Sequence, residues 1–143
     1  MRLPHSLDEA RALHRQVAHR PIDVRNLLSS ARTALDEDRL EDAETVVLGA
    51  LIAAPERVEC WRLSAAYSLA RGEPDDAEAA LRCALELADD EDAALELAVL
   101  LASDGRFEEA EGLASVLAMD AESPRIRARA DRLATDAARR ISA

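Results

Sequence analysis

Three histidines, His5, His14 and His19, and two cysteines, Cys60 and Cys83, are the side chains of this sequence best suited to bind a metal or attack a substrate. Their spacing argues against both. His14 and His19 stand five apart and cannot share a helix face as an i, i+4 ligand pair would. Neither cysteine belongs to a CxxC pair or has a histidine at ligand spacing, so both read as small, partly buried thiols in a reducing compartment. The run Asp89-Asp90-Glu91-Asp92 invites a calcium reading, but it lacks the alternating ligands, central glycine and terminal glutamate of an EF-hand loop. Acids at the start of a helix are favoured by the macrodipole, and the run reads as capping. No GxxxxGK[ST] or GxGxxG segment occurs, and four glycines in total could not build a phosphate cradle. Neither an enzyme nor a cofactor is expected, and no metal.

The elements behind these residues must be helices. The chain has 143 residues, enough for one domain with a core of its own. Apolar residues make up 49% but aromatics only 2%, so the core must come from close helix contacts between small side chains. No stretch approaches the roughly 20 apolar residues of a membrane span, and acids stand where a signal peptide would carry its apolar run. A cytoplasmic protein is expected.

Charge is unevenly spread. Residues 1–34 carry +3, residues 35–124 carry −18 and residues 125–143 carry +4, with arginine as the sole basic type apart from histidine. An acidic body works against nucleic-acid binding, which needs a basic stripe to release counterions. The basic ends could dock on the acidic body or on a second copy.

The sequence repeats. LDEDRLEDAETVVLGAL (35–51), LARGEPDDAEAALRCAL (69–85) and LASDGRFEEAEGLASVLA (101–118) share an Ala-Glu pair, and the alanines Ala43, Ala77 and Ala110 are spaced by 34 and 33 residues. Aligned on that period, small residues recur at Ala31, Ala65 and Ala98, and again at Ala50 and Ala84 before slipping to Leu117-Ala118. Leu27, Trp61 and Ala94 share a large-residue position, and Trp61 and Tyr67 read as interhelical packing. Gly72 and Gly105 separate the two halves of their units, with Asp38 in the first. Ser6-x-x-Glu9 forms a capping box that starts a helix near residue 7, with Ala10, Leu13 and Val17 on one face, and Pro21 breaks the chain before the first unit. Ser123-Pro124 opens a last helix with Ile126, Ala130, Leu133, Ala137 and Ile141 on one face.

This period and pattern resemble the tetratricopeptide repeat (TPR), in which two antiparallel helices form a unit and units stack into a solenoid. The resemblance implies an all-α, right-handed α-solenoid of about three helix pairs. Residues 1–22 are then a leader helix, 23–122 the repeats and 123–143 a capping helix. In a TPR array the first helix of each pair lines the concave face. The positions that map there are Arg25, Leu28, Arg32 and Leu35, then Glu59, Arg62, Ala66 and Leu69, then Asp92, Leu95, Val99 and Ala102. The resemblance thus implies an apolar strip carrying three arginines, suited to a protein or peptide client with apolar anchors and an acidic or carbonyl group. The leader and cap helices could fill part of it. Leu28, Arg32, Arg62 and Ala66 replace the Lys and Asn clamp by which TPR domains grip acidic heat-shock chaperone tails, which disfavours that ligand.

Three repeats, a leader and one final helix, with patterns such as DEDRLEDAETVV and ECWRLSAAYSLARGEPDDA, look like the class II chaperones of bacterial type III secretion. The smaller TPR-like co-chaperones of the needle subunit are a neighbouring resemblance. The family implies a cytoplasmic holdase that masks an export client without ATP and forms a homodimer through its N-terminal helices. A scaffold subunit working through its outer faces is the alternative, and association with nucleic acid through the Arg-rich last helix is a third.

Overall fold

The computed structural model describes residues 2–17 and 22–143; His19 and the break at Pro21 lie outside the described residues. Among these the chain is all-α, with eight helices and no strand: α1 (Leu7–Val17), α2 (Val24–Asp36), α3 (Leu40–Ala53), α4 (Val58–Ala70), α5 (Pro74–Leu87), α6 (Glu91–Ser103), α7 (Phe107–Asp120) and α8 (Pro124–Ser142). They form two compact units, Met1–Ala88 and Asp89–Ala143, with the boundary between the second and third helix pairs.

Side-chain caps start several helices. Asp23 and Asp90 accept from the amides of Asn26 (3.2 Å) and Ala93 (2.8 Å), and Ser123 accepts from Ile126 (3.3 Å) ahead of Pro124. Ser6 Oγ accepts from the amide of Glu9, starting α1 at Leu7. The expected capping box is only half formed, because the Glu9 carboxylate accepts from the amide of His5 instead of that of Ser6.

The turn inside each hairpin is the same object three times. The amides of Arg39, Glu73 and Arg106 donate back to the carbonyls of Ala34, Ser68 and Leu101 at 2.8, 2.8 and 2.9 Å. One residue earlier, Asp38, Gly72 and Gly105 donate to Leu35, Leu69 and Ala102. This nested pair is a Schellman closure, which requires a left-handed residue just past the helix. The φ values there are 59° for Asp38, 74° for Gly72 and 78° for Gly105. Aspartate tolerates this region better than most L-residues but still at a cost. Asp38→Gly is therefore expected to raise stability by about 0.5–1 kcal/mol, and Gly72→Ala to lower it by about 1–2 kcal/mol, read as shifts of the urea midpoint. Equal midpoints for both variants and the parent would contradict this account of the turn.

Small side chains let the hairpins close. Ala31, Ala65 and Ala98 on the first helices and Ala43, Ala77 and Ala110 on the second are fully buried. Val47, Leu51, Trp61 and Leu81 are buried with them in the first unit, and Leu97 and Leu101 in the second. The leader, through Leu3, Leu7 and Ala10, is buried within its own unit and packs on α3. Along the expected leader stripe, Ala10 is buried, Leu13 half-buried and Val17 exposed. Of the expected face of α8, Ile126, Ala130 and Ala137 are buried, Leu133 is half-buried and Ile141 is exposed. No described helix is long and apolar enough to cross a membrane.

Candidate functional site

In the first unit α2 and α4 pack against each other, and the eight positions expected to face a client lie on these two helices. Arg25 and Arg32 are exposed on α2, and Leu28 and Leu35, each three residues after one of them, are half-buried. On α4, Ala66 is exposed and Leu69 is 48% exposed, a large apolar side chain left to solvent at the helix end. Glu59 is exposed and pairs with Arg57 at 3.4 Å; Arg62 is half-buried. The leader's polar contacts run to the second helices and the loop after α3: His14 Nδ1 donates to the Ile52 carbonyl (2.8 Å), and Arg11 grips Glu56 with two bonds of 2.5 and 3.1 Å. That grip holds the Glu56 carboxyl below its ordinary range.

In the second unit one expectation is corrected. Leu95 is 4% exposed and belongs to the core formed with Leu117, Ala121, Ile126 and Ala130, where α8 covers α6 and α7. The capping helix needs an apolar floor, and Leu95 supplies it, so it is not a client-facing side chain. Asp92 pairs with Arg125 of α8 at 3.6 Å, and the neighbouring Glu91 carboxylate accepts from the amides of Glu122 and Ser123. The acidic run thus caps α6 and clamps the entry to α8. Val99 remains 41% exposed, and Ala102 is half-buried.

A second feature of the first unit was not anticipated. A cleft of about 510 Å³ opens between the residues preceding α1 and helices α3, α4 and α5. In it the Tyr67 hydroxyl donates to Glu44, and Arg71 reaches the same hydroxyl through Nη1 at 3.3 Å and Glu73 through Nη2 at 3.6 Å. Burial first, and the Glu44 bond second, push the Tyr67 phenol above its ordinary range. Tyr67 is buried as packing requires, yet its hydroxyl anchors a polar network. The available signal was its place in the period, where the other units have Thr33 and Leu100.

The cysteines sit in apolar surroundings. Burial pushes both thiols up to about 11, and each donates to a carbonyl, Cys60 to Ala50 and Cys83 to His5, at 3.6 Å. Among the described residues no group of three or more His, Cys, Asp or Glu side chains is placed to hold a metal.

No family model matches the chain, and no curated protein matches it. Among solved structures it is similar to "Assembly Chaperone of RpL4 (Acl4) (Residues 1-338)", with a TM-score of 0.60 and 19% sequence identity over 94% of this chain. The chain spans 57% of that one's length. At such identity the likeness concerns the fold.

Proposed function

We propose that the chain is a non-enzymatic protein-interaction module of TPR type that holds a client peptide on the α2–α4 face, as a chaperone or adaptor. The observation that carries this reading is the apolar strip left open on that face: exposed Leu69 and Ala66 on α4 and half-buried Leu28 and Leu35 on α2, which also carries exposed Arg25 and Arg32. Burying it against apolar anchors yields about 25 cal/mol per Å², and the guanidinium groups fix a carboxylate or carbonyl of the client. The three identical hairpin turns at TPR spacing support the repeat type, and the likeness to a protein named as an assembly chaperone supports the role. Within this reading the class II chaperones of type III secretion remain the finer proposal, with a cytoplasmic holdase acting on an export client.

Co-expression with secreted proteins from the same operon tests it. A captured client should be lost from Leu69→Glu and from Arg32→Glu, each weakening binding by about tenfold or more, while far-UV circular dichroism stays unchanged. A client that survives both substitutions does not use this face.

A scaffold role through outer faces has one observation in its favour. On α7, Val116 and Met119 are 59% and 81% exposed, one helical turn apart. A partner held there should be lost from Met119→Glu and kept by Leu69→Glu.

A further inference from the structure

The cleft between the N-terminal segment and α3, α4 and α5 lies apart from the client strip and has a chemistry of its own. Ser64 and Ser68 line it and are each only 3% exposed, and neither hydroxyl bonds to another described residue. Buried hydroxyls aimed into a cavity are acceptors and donors for whatever enters.

The sign of the entrant follows from the charges. Glu44, Glu73 and Asp76 contribute three carboxylates to the wall. Against them stand Arg71, which already reaches Glu44 at 3.9 Å and Glu73 at 3.6 Å, and Arg2 at the exposed chain end. His5 faces Asp76 at 3.3 Å. An anion would meet all three carboxylates at short range in a molecule of net charge −11. A cation would meet carboxylates and hydroxyl oxygens together. Leu3 adds an apolar wall for the stem of a long side chain.

We propose that this cleft is a receptor site for the guanidinium of an arginine side chain presented by a partner protein, held by Glu44, Glu73 and Asp76 with the Ser64 and Ser68 hydroxyls. The planar fork of a guanidinium matches paired carboxylates better than an ammonium does. The partner is therefore a basic segment, and the site stands whether or not the α2–α4 strip binds a client.

An NMR titration of the full chain tests this with an acetylated, amidated Gly-Arg-Gly peptide and its citrulline counterpart, which has the same shape without the charge. The arginine peptide should shift the Ser64 and Ser68 amides and bind at least about tenfold tighter than the citrulline peptide. Glu44→Gln should weaken the arginine peptide about tenfold, whereas Asp36→Asn, an equal loss of charge on exposed α2, should change it less than about twofold. Arg71→Gln gives the sign directly: removing the competing cation should tighten the arginine peptide several-fold. Circular dichroism of each variant must match the parent. Equal binding of both peptides, equal effects of the two acid substitutions, weaker binding in Arg71→Gln, or inorganic phosphate producing the Ser64 and Ser68 shifts would each overturn the assignment.

Discussion

Trp61→Ala is expected to cost about 3–5 kcal/mol of folding stability, among the largest losses any single substitution in this chain can produce. Trp61 is the one tryptophan of the sequence and is wholly buried in the first turn of α4. Its Nε1–H donates to the Pro55 carbonyl at 2.8 Å, fastening the α3–α4 connection to the helix that follows. Truncation removes the largest side chain from an interior built mostly of alanine and leucine, and small neighbours cannot swing in to fill the space. Trp61→Phe separates the two contributions. It keeps most of the apolar volume while deleting the donor, so it should cost about 1–2 kcal/mol. Urea unfolding followed by far-UV circular dichroism measures both, since the fluorescent reporter is itself removed. A loss below about 1 kcal/mol for Trp61→Ala would show that the first unit collapses around the gap and that its packing is looser than described.

Much of the helical framework was legible because two independent signals coincide. Small residues recur on a period of 34 and 33, and turn residues recur on the same period. Each signal answers a physical need, close approach in one case and positive φ in the other. Asp38 is instructive: it breaks the glycine pattern by identity but keeps it by conformation, with φ of 59°. The caps at Ser6, Asp90 and Ser123 were readable for the same reason, since an unpaired helix-terminal amide selects a short oxygen-bearing side chain.

The site was less legible because surface depends on which neighbour covers it. Leu95 and Val99 stand one turn apart on α6, and position alone assigns both to the same face. Leu95 is nevertheless buried by α8, whose docking has no periodic signature in the repeats. The polar cleft escaped for a related reason. Glu44 and Tyr67 are 23 residues apart and meet only because α3 packs on α4, and the N-terminal wall comes from outside the repeat altogether.

The pair Ala65 and Ala66 carries the sharpest test of the packing on which the client strip depends. They are adjacent in α4, yet Ala65 is fully buried and Ala66 is exposed on the proposed client face. Leucine is nearly as good a helix former as alanine, so the same substitution at both positions leaves local propensity almost untouched. What differs is space. At Ala65 the added isopropyl group must push a neighbouring helix away or take a strained rotamer, and Ala65→Leu should cost about 3 kcal/mol, with partial loss of cooperativity in urea. At Ala66 it enters solvent beside Leu69, so stability should hold within about 0.5 kcal/mol while the apolar strip grows. Ala66→Leu should therefore hold a client with apolar anchors as tightly as the parent or more so, and Ala65→Leu should lose it together with the fold. Were both variants to unfold at the parent midpoint, close apposition through alanine would not be what holds these helices, and the strip would have no fixed geometry on which to receive a partner.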